Sequence, residues 1–169
     1  TIYTRKGDEG YTSLNDKPLS KDDLPIEVVG TLDELNSQIG MVIALGVPDL
    51  EIETTLTQIQ HDLFDIGGEM HLPEHVVTRA EKVTWLETQI NLWNASLPPL
   101  KEFLLPRGTP ASAAAHVART VCRRAERSLV HLHRQVPLHN PEILRYLNRL
   151  SDLLFVIARI IARDNDSKE

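Results

Sequence analysis

Four arginines and a glutamate fall within nine residues of one strongly helical segment, Arg119-Thr-Val-Cys-Arg123-Arg124-Ala-Glu126-Arg127. At about 100° per residue, Arg119, Arg123, Glu126 and Arg127 share one side of that helix, and Arg124 points elsewhere. The same segment carries an apolar seam at Ala118, Cys122, Ala125, Leu129 and Leu132. The arginine side therefore borders the buried face. A guanidinium stays charged and donates paired hydrogen bonds from a planar fork, which suits a phosphate-rich ligand. Two readings stand: a solvated face with Arg123 or Arg127 paired to Glu126 or another acid, or a phosphate clamp.

A second group lies at the N-terminus: Thr4-Arg5-Lys6-Gly7-Asp8-Glu9-Gly10-Tyr11-Thr12-Ser13. Glycines let backbone N–H groups approach an anion, and hydroxyls add donors or metal contacts. The GxxxxGK[ST] spacing of a P-loop is absent. Asp33, Asn36, Asn148 and Asp152 flank apolar seams, where interhelical hydrogen bonds or ion pairs are the ordinary use. Phe103 sits between prolines in Lys101-Glu-Phe-Leu-Leu-Pro106. It reads either as a buried loop aromatic or as a lid over a flat ligand. No metal-ligand set emerges. Pro73 interrupts the His71/His75 spacing, and His131 and His133 face different ways. No Ser-His-Asp or Cys-His arrangement is present, and no Glu-x-x-His pair supports a di-metal carboxylate bundle.

These groups need a scaffold, and the scaffold is all-α. Val28, Leu32, Leu35, Ile39 and Val42 step by four and three. So do Ile52, Leu56, Ile59, Leu63, Ile66 and Met70, then Val83, Leu86, Ile90 and Trp93. With the arginine helix and Ile143, Leu147, Leu150, Leu154, Ile157 and Ile161, this gives five helices of about 16 to 25 residues in a bundle. Helix starts are expected at a Thr78–Glu81 capping box, at Thr109-Pro110 and at Asn140-Pro141. Gly46-Val-Pro48 ends the first helix. No strand alternation is evident. The 169 residues form one domain: a long N-terminal loop over 1–25, a bundle over 26–163 and a tail over 164–169.

A net charge of -6 argues against a general nucleic-acid binder, so the arginine cluster is local. The one cysteine, Cys122, excludes an internal disulfide and reads as a buried, inert thiol. No apolar run approaches the roughly 20 residues that span a bilayer. The expected location is cytoplasmic, although a chain that begins at Thr1 leaves room for a removed targeting peptide.

Taken in order, the motifs resemble one family. Ile2-Tyr-Thr-Arg-Lys-Gly-Asp8, Val29-Gly-Thr-Leu-Asp33-Glu-Leu-Asn36, Phe103-Leu-Leu-Pro106, Ala118 through Arg127 and Asn148-Arg-Leu-Ser-Asp152 are similar to the ATP:cob(I)alamin adenosyltransferases of the propanediol-utilisation (PduO) type. The resemblance spans nearly the whole chain. It implies transfer of the 5′-deoxyadenosyl group of ATP to cob(I)alamin with release of triphosphate, in a homotrimer whose sites lie between subunits. It implies that Thr4, Arg5, Lys6, Gly7, Thr12, Ser13 and Lys21 wrap the triphosphate. Arg123, Arg124, Ala125, Glu126, Arg127 and Asn148 would complete the nucleotide site. Mg2+ would ride on the phosphates, with no protein residue assigned to it. Asp33 and Arg119 match an ion pair across the subunit interface beside the corrin, and Phe103 the aromatic shielding the lower face of cobalt. A corrinoid reductase or an adenosylcobalamin-dependent enzyme is the implied partner. A nucleotide-binding scaffold without catalysis would share the arginine face and glycine loop but not the corrin half. The family often has Pro-Gly-Gly where this chain has Pro106-Arg107-Gly108. If the first glycine serves an unusual backbone angle, Arg107 alters that turn.

Overall fold

The computed structural model describes residues 1–165; residues 166–169 of the expected tail lie outside the described part. Five helices follow a small hairpin: β1 (Tyr11–Leu14), β2 (Lys17–Ser20), α1 (Leu24–Leu45), α2 (Leu50–His71), α3 (Ala80–Asn94), α4 (Pro110–Gln135) and α5 (Glu142–Asp164). The four-three seams face inward as expected. Every seam residue of α1, α2 and α5 is buried. On α3, Val83 and Leu86 are buried, and Ile90 and Trp93 pack at the margin.

The helices neighbour one another in the order α2, α1, α4, α5, α3. α4 therefore holds the middle, flanked by α1 and α5. α4 reaches its place because most of the residues it turns inward are small: Ala111, Ser112, Ala115, Ala118, Cys122 and Ala125 are all buried, alongside His116, Val121 and Leu129. α5 is enclosed almost all round, from Ile143 and Tyr146 to Ile160, Ile161 and Ala162. Its run Leu153-Leu-Phe-Val-Ile-Ala158 is apolar on every face, the pattern of a core helix rather than a surface one.

The expectation of an ordered N-terminal loop without strands is corrected in one respect. β1 and β2 pair antiparallel, with Tyr11 opposite Ser20 and Leu14 opposite Lys17. The two linking residues, Asn15 and Asp16, have φ of 52° and 57°. Positive φ at both positions makes the I′-type turn that matches strand twist, and Asn and Asp tolerate it better than most residues. Lys21 N–H donates to the carbonyl of Gly10 and closes the hairpin's base. The helix then starts at Leu24, ahead of the expected boundary.

The cap expectations divide. Thr109 accepts from the N–H of Ser112 with Pro110 in the first turn, as the sequence implies. Asn140 Oδ1 accepts from the N–H of Glu142, the first residue of α5, although Pro141 and not Asn140 takes the N-cap position. Gly46, with φ of 98°, ends α1. The Thr78–Glu81 capping box does not form. α3 begins at Ala80, and the Thr78 hydroxyl is buried without a partner among the described residues. A buried carboxylate has claimed the backbone there instead. Glu69 of α2 accepts from the N–H groups of Val77 and Thr78, the Asn140 amide and the His139 ring, at 2.7–2.8 Å. This fastens the α2–α3 connection to the start of α5. A second knot joins α2, α3 and α5: Asp62 accepts from Tyr146 Oη at 2.8 Å and pairs with Lys82 at 3.2 Å. Burial, and then the Asp62 charge, push the Tyr146 hydroxyl well above its ordinary pKa.

Burial alone would push the Glu69 carboxyl up, but its four donors outweigh that and hold it below the usual carboxylate range. A depressed pKa contributes stability above the unfolded value, and that contribution is lost as pH falls through the folded one. Glu69→Gln also turns an amide N–H toward the Asn140 and His139 donors. We expect it to cost about 1–3 kcal/mol at neutral pH in urea denaturation, with the gap from wild type narrowing below about pH 4.

Candidate functional site

The N-terminal segment builds one wall of a pocket. Thr4, Lys6, Gly7, Thr12, Ser13 and Lys21 line an open cleft of ≈ 400 Å3, with Tyr11 between them. The hairpin does this work: it carries Thr12 and Ser13, and its closing bond at Lys21 folds that lysine back over Gly7. A Cβ at Gly7 would stand 2.7 Å from Lys21 Nζ. Glycine is thus required at position 7 for the ammonium's approach and not for its backbone angle. Gly10, with φ of 85°, makes the turn before β1. Arg5 departs from its expected place. It adopts φ of 62°, and its guanidinium lies over the Tyr3 ring, 5.4 Å from the centroid, instead of lining the cleft.

The arginine face of α4 forms a second, separate group. Arg123 and Arg127 are exposed. Among the described residues neither has an ion-pair partner, so the reading in which Glu126 or another acid pairs with them does not hold. Arg124 leaves this face, as the helical angle predicts, and pairs with Glu34 of α1. The sequence did not signal that partner. Arg119 is half-buried; burial, and then the charge of Arg123, lower its pKa. Cations at i and i+4 repel. A stripe holding Arg119, Arg123 and Arg127 therefore favours any anion that arrives. Glu126 and Arg127 edge a shallow hollow of ≈ 300 Å3 that runs on to His131 and Arg134. Ala125 is buried and contributes only its backbone to this surface.

Cys122 fixes α4 against α5, its Sγ–H donating to the carbonyl of Leu147 at 3.3 Å. The thiol is buried, as expected. Burial and then the nearby charges of Glu126 and Asp152 raise its pKa above that of an ordinary thiol. The exposed Asn148 follows directly on that contact.

Asp33 is exposed on α1 and edges a third depression, ≈ 410 Å3 between α1 and α2. Phe64, Gly67, Gly68 and His71 form its other bank. Phe64 is 78% exposed, and a Cβ at either glycine would meet open space. Sequence reasoning missed this apolar shelf; the Gly67-Gly68 pair within a helix was the available signal. Asn36 behaves as expected, exchanging bonds with Gln60 across α1 and α2. Asp33 and Arg119 are not bonded to each other in the chain.

Phe103 is 104% exposed, so the buried-aromatic alternative fails. The connection that carries it has no helix or strand, but it is held at both ends. Arg159 donates to the carbonyl of Pro98 and Arg163 to Ser96. At the other end Gly108 has φ of 132°, and a Cβ there would stand 2.3 Å from Ser112 Oγ. Arg107 keeps a negative φ. The turn therefore depends on glycine at 108 alone, and arginine at 107 is accommodated.

Within one chain the N-terminal cleft and the α4 face stay apart: no α4 residue lines the cleft. Among the described residues, no cluster of three His, Cys, Asp or Glu side chains could hold a metal ion. No described helix is long and apolar enough to cross a membrane.

Comparison with known proteins adds a family. Residues 2–161 match the model described as Cobalamin adenosyltransferase. The "Cobalamin adenosyltransferase" of Cupriavidus metallidurans is 48% identical over 165 residues, covering 96% of this chain and 88% of the relative. The "Corrinoid adenosyltransferase" of Bacillus subtilis is 43% identical over 167 residues, covering 95% of this chain and 86% of the relative. A variant PduO-type ATP:corrinoid adenosyltransferase from Lactobacillus reuteri, solved with cobalamin and ATP, superposes with a TM-score of 0.91 at 34% identity. That match covers 99% of this chain and 94% of the other.

Because the atom a methyl at Gly7 would strike is the far end of a lysine, the fold can absorb it while the cleft cannot. Gly7→Ala is expected to leave the melting temperature within about 2 °C and to weaken binding of inorganic triphosphate about three- to tenfold by calorimetry. Unaltered binding would remove Lys21 from the cleft's anion contacts.

Proposed function

The chain belongs to the cobalamin adenosyltransferase family, and from that premise we infer that it transfers the 5′-deoxyadenosyl group of ATP to the cobalt of cob(I)alamin, releasing triphosphate. One observation carries the reading. Six of the seven residues expected to wrap a triphosphate line a single cleft, with a lysine ammonium against a glycine backbone.

The chemistry needs no protein nucleophile. Reduced cobalt supplies the electron pair that forms the new bond to C5′, and the bond from C5′ to the triphosphate oxygen breaks with its pair. Negative charge therefore builds on the departing oxygen. The residues at hand answer that need: Lys6, Lys21 and the hydroxyls of Thr4, Thr12 and Ser13 on one side, Arg123 and Arg127 on the other. A Mg2+ ion on the phosphates would add charge neutralisation. With no acidic cage for it among the described residues, the triphosphate oxygens would be its chief ligands, and the hydroxyls of Thr4, Thr12 and Ser13 line the same cleft. Arg5, Arg124, Ala125, Glu126 and Asn148 belong to the same nucleotide site in this reading, Arg5 moving off Tyr3 and Glu126 orienting its neighbours.

Two incomplete halves support a site completed by a second copy. The proposed assembly is a homotrimer in which the N-terminal cleft of one subunit meets the α4 face of the next, and Asp33 meets Arg119 across the same boundary. The shelf beside Asp33 has the flat, apolar character a corrin face needs. A fully exposed Phe103 is costly in water and suits a cobalt-shielding role. An aromatic there excludes water and offers no lone pair, which favours loss of the lower axial ligand and reduction of Co(II). The cobalt chemistry belongs to the substrate, and the protein supplies position and environment. A corrinoid reductase before this step, or an adenosylcobalamin-dependent enzyme after it, is the proposed partner, in the cytoplasm.

ATP mixed with chemically reduced cobalamin and the protein should give the visible spectrum of the adenosylated product; no spectral change would overturn the reading in favour of a non-catalytic nucleotide-binding bundle. In the same assay Arg123→Ala is expected to raise the ATP KM and lower kcat by more than about tenfold. Phe103→Ala should lose at least about tenfold in rate when reduction starts from Co(II). Near-normal turnover from Co(II) would remove Phe103 from cobalt.

A further inference from the structure

The stripe of α4 that carries Arg119, Arg123 and Arg127 continues one turn toward the helix N-terminus to His116, which is 6% exposed. His116 lies edge-on to the Phe155 ring of α5, centroids 6.1 Å apart and planes at 64°. Its Nδ1 accepts from Arg119 Nε–H at 3.4 Å. An imidazole that accepts at Nδ1 is neutral, with its proton on Nε2. An arginine whose Nε–H is engaged keeps its Nη1–Nη2 edge for other acceptors, and that edge can grip a carboxylate with two parallel bonds. The α5 packing surface thus reaches Arg119 through His116.

We infer that His116 is a positioning residue: it takes the Arg119 Nε–H and turns the guanidinium so that its Nη1–Nη2 edge faces the carboxylate of Asp33 on a neighbouring copy. The inference rests on the reading of Arg119 and Asp33 given above. Without His116, Arg119 has a long, rotamer-rich side chain with several competing orientations. With it, one side of the guanidinium is fixed before the partner arrives, and less ordering remains when the pair forms. His116 has no direct part in bond making. The Nδ1 of histidine and the Oδ1 of asparagine stand one bond from Cγ, so asparagine can offer an acceptor in nearly the same place. Phenylalanine keeps a ring against Phe155 and offers none.

The test combines a structural readout with kinetics. In nitrogen-15 NMR of the intact protein, the Arg119 Nε–Hε proton should exchange slowly with solvent. It should exchange about tenfold faster in His116→Phe and remain protected in His116→Asn. In adenosylation assays His116→Phe should raise the corrinoid KM about tenfold, with the ATP KM within about twofold. His116→Asn should recover most of that loss, and His116→Phe should add nothing in an Arg119→Ala background. Equal exchange in wild type and His116→Phe overturns the tether. A further loss in the Arg119→Ala background, or parallel rises in both KM values, overturns the positioning role. If the wild type adenosylates nothing, the proposed function falls while the exchange measurement still decides the His116–Arg119 contact. Should His116→Phe not fold, His116→Leu compared with His116→Asn gives the same decision.

Discussion

The architecture depends on how closely α4 can approach two neighbours at once. Most of its inward residues are small, four alanines, a serine and a cysteine beside His116, Val121 and Leu129, so α1 and α5 supply much of the bulk at those contacts. A large side chain in that row would push α4 outward, the kind of overpacking that costs about 1–3 kcal/mol. The spacing also governs chemistry. Because α4 sits deep, residues at the edge of its seam emerge within reach of both neighbours: Arg124 touches Glu34 of α1, Cys122 touches the Leu147 carbonyl of α5, and His116 meets Phe155. One strip of small side chains thus sets both the packing and the height at which the arginines stand.

Polar knots do for the connections what the alanine row does for the helices. Glu69 and Asp62 are buried carboxylates, each surrounded by donors from other elements. A buried charge is tolerable only when its lone pairs are filled. Their demand fixes where the α2–α3 connection runs and how α3 lies relative to α2. The Thr78 N–H, which a capping box would give to the Glu81 side chain, goes to Glu69 instead.

Helix positions were legible in the sequence because the four-three rhythm is a local property of each helix, and α1, α2 and α5 bury every residue that the rhythm selects. Thr109 and Asn140 were legible because a cap is satisfied within a few residues of itself. What sequence reading missed depends on distant partners. Thr78 loses its box to Glu69, Arg124 finds Glu34 from the far side of the chain, and Lys21 closes over Gly7 only after a hairpin that no alternation announced. The hairpin is short, and its turn uses Asn-Asp in place of a glycine pair, so its signal was weak. Most residues of the candidate site were readable as types and spacings. Their division into two separate groups within one chain was visible only in three dimensions.

The connection carrying Phe103 has a further geometrical consequence. Its stations are Pro98, bonded to Arg159, and Gly108, bent over Ser112. Phe103 is equidistant in sequence from both, five residues away on either side. A fully extended chain spans about 17 Å over five residues. Phe103 is therefore confined to the overlap of two spheres of that radius, one centred at the end of α5 and one at the start of α4. Whatever surface receives the ring must intersect that lens-shaped volume, so the length of this strap limits the docking angles open to a neighbouring molecule. Inserting residues would enlarge the volume without altering any contact in the bundle.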